Sequence, residues 1–135
     1  MEQKEFTEFI IPKIIDRFPE FKDLCVIQPN DITNINYKSQ QAKLTLRLTT
    51  QDKEITIGFA NATKFDWHTH MSLLGANTPV EELEESIKLI DRILTDKEII
   101  IHSTVLGYFI ADNIDDINKY KQKDEIIETY YWSDL

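Results

Sequence analysis

Glycine is scarce in this sequence, with three in 135 residues, and that scarcity excludes a whole class of sites. Loops that cradle phosphates need several glycines close together, because the backbone itself must approach the oxygens, so a nucleotide cradle of the usual kind is ruled out. Four prolines alongside those glycines leave no material for a long flexible linker or a disordered tract. A single cysteine forbids any internal disulfide and any Cys-x-x-Cys pair. Cys25 lies in the apolar run Leu24-Cys25-Val26-Ile27, with no neighbouring His or Lys to activate it, so it reads as a small buried hydrophobe. There is no G-x-S-x-G elbow and no His-Glu-x-x-His helix to carry hydrolytic chemistry. No apolar run approaches the ~20 residues of a membrane span, and the start Met1-Glu2-Gln3-Lys4-Glu5 has no apolar signal region. The expectation is a cytoplasmic protein with no membrane contact and no cofactor.

The residues that are present suit one domain over 1–135. The apolar share of 41%, with seven Phe, five Tyr and two Trp, suffices for a core, and a chain of this length buries roughly two thirds of its unfolded surface. The net charge is −9 and it is unevenly placed. Residues 1–67 carry nine Lys/Arg against ten Asp/Glu, a net of −1, whereas residues 68–135 carry six against fourteen, a net of −8. Such a surface repels phosphate backbones, which argues against nucleic acid, and attracts basic proteins. Plain solubility is the competing explanation of the charge.

Periodicity gives the order of elements. Phe6, Phe9, Ile10, Ile14 and Phe18 fall near helical spacing, interrupted at Pro12, which predicts a kink or a helix start there. A meander follows, with alternating strands through Thr33-Ile35-Tyr37, Leu44-Leu46-Leu48 and Ile55-Ile57-Phe59, and a fourth through Lys64–Ser72 after a turn at Asn61-Ala62-Thr63. Thr78-Pro79-Val80-Glu81 has the cap, the first-turn proline and the acid of a capping box; Val80, Leu83, Ile87, Ile90 and Leu94 form the apolar stripe of the helix it opens. Strands near Glu98–Val105, Tyr108–Asp112 and Glu125–Trp132 close the chain, with a polar stretch from Asn113 to Lys123 suited to a short helix. The fold class is therefore α+β: a largely antiparallel sheet of about six to seven strands with two main helices packed on one face.

Three features carry candidate chemistry. Asp66, His68 and His70 alternate on one strand and share a face, offering the ligand types of a zinc or non-haem iron site, or an acid–base pair. Residues in a row on a strand stand about 6.6 Å apart, which opposes convergence of all three on one ion, so a strand face used in structure or partner contact is the stronger reading. The His-x-His pair lacks the following Glu of a cupin motif. Two acidic groups, Glu81, Glu82 and Glu85 on the helix and Asp112, Asp115 and Asp116 beyond it, are candidate contacts for a basic partner. For the helical acids the favourable helix dipole is an equally simple cause. Glu128-Thr129-Tyr130-Tyr131-Trp132 has the aromatic content of an interface but suits a packed final strand better.

Asp66-Trp67-His68-Thr69-His70, followed by the Glu-, Leu- and Ile-rich helix to Leu94 and the strand Glu98–Val105, resembles small bacterial immunity proteins of polymorphic toxin systems. The resemblance covers about the second half of the chain and implies a non-enzymatic role, binding and neutralising a cognate basic toxin, with no catalytic residues to carry over. A small metal-binding protein or metal-dependent enzyme centred on His68 and His70 is the alternative, and a homo-oligomer pairing through an edge strand is a third.

Overall fold

A computed structural model describes residues 1–61 and 64–135, and part of the turn expected at Asn61-Ala62-Thr63 lies outside the described residues. The fold is α+β and antiparallel. Among the described residues, eight strands divide into two sheets where the patterning suggested one. The first sheet is a meander in sequence order: β1 (Cys25–Gln28), β2 (Ile32–Lys38), β3 (Thr45–Thr49), β4 (Thr56–Ala60) and β5 (Phe65–His70). The second has β6 (Ile100–Ser103) between β7 (Gly107–Phe109) and β8 (Ile127–Tyr130). Helix α1 (Gln3–Arg17) precedes the meander, α2 (Pro79–Leu94) separates the two sheets, and α3 (Ile117–Tyr120) is a single turn before β8.

Register explains which face of the first sheet is wet. Ile35 stands opposite Leu48, Leu48 opposite Ile57, and Ile57 opposite Thr69; Tyr37, Leu46, Phe59 and Trp67 form the next row. These rows, with Phe6, Ile10 and Ile14 of α1 and Leu89, Ile90 and Ile93 of α2, make one core. Burying such side chains stabilises the fold by about 1.5–3 kcal/mol each. The other face carries Asn36, Arg47, Gly58 and His68 in one row and Asn34, Thr49, Thr56 and His70 in the next. The Arg47 guanidinium bonds Asn36 at 2.6 Å and covers the Phe65 ring.

Three local expectations need revising. Helix α1 runs through Pro12 without starting at it; the proline is exposed, and the carbonyl that loses its donor belongs to the exposed Glu8. A strand forms at Cys25–Gln28, where Cys25 is half-buried and burial raises its thiol pKa, while Val26 and Ile27 are exposed on the sheet edge. The inward stripe of α2 is Glu82, Ser86, Leu89, Ile90 and Ile93, leaving Val80 exposed and Leu83, Ile87 and Leu94 only partly buried. Two polar residues can face inward because each has a local partner: Glu82 accepts the Ile55 N–H at 2.9 Å and Ser86 donates to the Leu83 carbonyl at 2.7 Å. Of the closing aromatic segment, the strand ends at Tyr130 and Tyr131 is exposed, while Trp132, in the turn that follows, is buried and stacked 6.0 Å from Tyr37.

Candidate functional site

On β5, Asp66, His68 and His70 lie on the outer face of the first sheet, as alternation requires. The structure brings the two imidazoles together, 5.0 Å apart edge to face, but turns the carboxylate elsewhere: Asp66 accepts from Asn61 at 3.0 Å. His70 Nδ1 lies 2.9 Å from a Glu54 carboxylate oxygen and 2.8 Å from the Thr56 hydroxyl, its cross-strand neighbour. A carboxylate only accepts, so in the Glu54 contact Nδ1 is the donor. His102, the remaining histidine, takes Tyr108 as its ring neighbour at 4.5 Å. Among the described residues, no three His, Cys, Asp or Glu side chains gather as a metal-ligand set. On this face Glu54 and Thr56 orient His70.

The acids of α2 part company. Glu81 serves the helix start: the Thr78 cap hydroxyl accepts the Glu81 N–H at 3.1 Å, and the Glu81 carboxylate accepts the Asn77 N–H, one residue before the cap, at 3.2 Å. Glu85 meets Lys88 at 3.4 Å. Glu82 does not belong to the surface at all. It is 6% exposed, one oxygen receives the Ile55 N–H, and the other is buried with no hydrogen-bond partner. Its place as a partner contact is therefore withdrawn: the inward turn of the helix claims it.

Burial pushes the Glu82 carboxyl above the usual carboxylate range, the neighbouring Glu54 charge pushes the same way, and the Ile55 hydrogen bond with nearby His70 only partly opposes them. A raised folded value means the native state holds this proton more tightly than the unfolded chain does. Stability is then lost as pH rises from the ordinary carboxylate value, ~4.3, through the raised folded one. Glu82→Gln keeps an acceptor for Ile55 and removes the charge. It is expected to raise stability at pH 7 by about 1 kcal/mol and to make no difference at about pH 3, where both forms are neutral. Urea unfolding at the two pH values measures this, and a variant less stable than the parent at pH 7 would show that the ionised carboxylate is favourable where it sits.

The aspartates beyond β7 are arranged differently. Asp112, Asp115 and Asp116 are exposed, and among the described residues no cation pairs with any of them. Of the cations in the neighbourhood, Arg92 is taken by Glu98 at 2.7 Å, while Lys119, Lys121 and Lys123 follow the aspartates in the same stretch of chain. Asn113 caps the turn by accepting the Asp115 N–H at 3.0 Å, which fixes the direction in which the loop presents its acids. Asp112 borders a groove shared with Leu89 and Arg92 of α2, while Glu81 and Glu85 lie nearer the start of that helix.

Patterning missed what lies beside these aspartates. Leu106, Phe109, Ile117, Tyr120 and Ile127 line an apolar cavity of about 210 Å³, with Asp116 on its wall. Glu125 closes it from inside: its buried carboxylate accepts from the Ser103 hydroxyl and from the Gln122 N–H, and those bonds hold its carboxyl below the usual range. Ser103 also accepts the Val105 and Leu106 N–H groups, holding the β6–β7 turn in place. In the same stretch of chain Val105, Leu106, Ile114, Tyr120 and Ile126 are all exposed, Tyr120 to 72%. The available signal was the density of large apolar residues in a stretch otherwise rich in acids and turns. No family model, curated protein or solved structure matches the chain.

Proposed function

We propose that the protein is a non-enzymatic binding module that engages a basic protein domain through the small-sheet face at residues 105–127. The observation that carries this reading is the apolar cavity bordered by Asp116, with Asp112 and Asp115 exposed and in no ion pair among the described residues. Interfaces concentrate their energy in a few apolar or aromatic anchors seated in pockets, while a charged rim selects the partner and speeds encounter. A cavity of about 210 Å³ takes one large side chain, and the aspartates favour lysines or arginines around it. Glu81 and Glu85 already serve their own helix, so the aspartates carry the recognition. Neutralisation of a basic toxin domain is the most concrete form of this role, and it draws on the resemblance of β5 and α2 to immunity proteins.

A synthetic amphipathic helix bearing lysines on one face and Leu and Trp on the other serves as a probe. Titrated into isotope-labelled protein, it is expected to shift amide signals of Leu106, Phe109, Ile117 and Ile127 saturably, while a glutamate-bearing counterpart does not. Shifts confined to α1 or to the outer face of the first sheet would refute this placement.

A further inference from the structure

Strand β1 leaves an edge of the first sheet open in a way the other sheet edges are not. Thr33 accepts the Thr50 N–H at 3.2 Å and gives its own N–H to the Thr50 hydroxyl at 3.1 Å, so its backbone faces the β3 side. Alternation turns the backbone groups of Ile32 and Asn34 toward β1, where they meet Gln28 and Val26. Cys25 and Ile27 alternate with those two, so their N–H and C=O groups point away from the sheet. At the same edge Ile27 is 83% exposed and Val26 44%. Edges are ordinarily blunted by charge, by a bulge, by brevity or by a covering element. Strand β5 has Asp66, a bulge against β4 and β7 packed beside it; β8 has Glu128, and β7 has three residues. Strand β1 pairs regularly with β2 and has no charged residue between Asp23 and Asp31. Pro29, which has no N–H to give, marks one end of it.

We propose that β1 pairs antiparallel with β1 of a second copy of this chain, across a two-fold axis at Val26. Hydrogen bonds are exchanged only between residues that face outward in both strands. The register that uses all of them sets Cys25 of each copy opposite Ile27 of the other, and Val26 opposite itself. A slip of two residues one way opposes Cys25 to Pro29; the other way opposes Ile27 to Asp23, which lies in the helical turn before the strand. On one face Ile27 then packs beside Cys25 of the second copy, and on the other the two Val26 side chains meet. Charge selects this occupant. Two copies, each at −9, repel over most approaches, and an edge free of charge is where that repulsion is weakest. A basic polypeptide finds no acid on this strand to draw it there. A contact four residues long falls below the ~1,200 Å² of stable interfaces, so the dimer is weak and transient. This edge is distinct from the cavity bordered by Asp116, so each reading can fail without the other.

Single cysteines placed in a Cys25→Ser background test the register. Val26→Cys is expected to form a disulfide-linked dimer under mild oxidation, because facing residues of a non-hydrogen-bonded pair stand about 4.5 Å apart at Cα, within disulfide range. Ile27→Cys is expected to cross-link roughly tenfold more slowly although Ile27 is the more exposed, since its counterpart lies about 6.6 Å further along the strand. In the parent, the Cys25 and Ile27 amide signals are expected to shift with protein concentration up to about 1 mM, and Ile27→Lys to remove that dependence. Equal rates for the two cysteine variants, or a faster rate for Ile27→Cys, would overturn the proposal, as would β1 amides indifferent to concentration. Slow cross-linking of both variants beside a monomeric parent would also overturn it, and would leave the edge to a strand of another polypeptide.

Discussion

Replacing Gly58 with alanine is expected to destabilise the protein by about 3 kcal/mol, the upper range for an atom forced into a filled space. A Cβ there would lie 2.0 Å from the Trp67 carbonyl oxygen and 2.7 Å from the His68 Cα, both backbone atoms of the paired strand. Flexible side-chain ends can swing aside, but a ladder cannot yield without losing register, and a slip by one residue would exchange the Trp67 and His68 faces. The position is central to β4, whose five residues are all buried, so no solvent-side relaxation relieves the clash. Urea unfolding gives the loss directly, and the amide signals of Phe65–His70 report whether β5 remains paired. A loss below about 0.5 kcal/mol, the range of an ordinary surface change, would mean that the close approach of β4 and β5 is not as described.

The other large effect is expected on binding. Changing Asp112, Asp115 and Asp116 together to asparagine removes three charges that make no ion pair among the described residues. Its effect on folding stability should therefore stay within about 0.5 kcal/mol. Exposed ionic contacts are worth about 0.2–1 kcal/mol each, so three lost together weaken a lysine-bearing amphipathic helix by roughly threefold to a hundredfold. Glu85→Gln is the control: it removes one acid, already paired with Lys88. Weakening by Glu85→Gln of a third or more of the triple change, in free energy, would make net charge, and not the local rim, the source of attraction.

Much of this fold was legible because period-two and helical patterns report burial directly. The rows through Leu46, Leu48, Ile57 and Phe59 alternate cleanly, and Thr78-Pro79 with Glu81 marks the start of α2 to the residue. The division into two sheets was not legible, since strand pairing between distant segments leaves no mark in local sequence. The face of α2 was misread for a physical reason: a hydrophobic stripe assumes that polar residues point outward, whereas Glu82 and Ser86 find backbone partners inside. That same exception hid the burial of Glu82, because an acid in a helix first turn reads as dipole compensation. Of the candidate residues, His68 and His70 do meet and Asp66 does not join them. The cavity beside Asp116 draws on Leu106, Ile117 and Ile127, which are separated in sequence and converge only through the β7-β6-β8 order and the α3 turn.

The affinity of the lysine-bearing helix, measured for the parent and the triple asparagine protein from about 20 mM to about 500 mM salt, is the most direct test of an acid-rimmed docking face. The parent should bind tightest at low salt and weaken steeply, while the variant starts weaker and responds less, so that the two curves converge as screening grows. Parallel curves, or a parent affinity indifferent to salt, would contradict recognition through these aspartates.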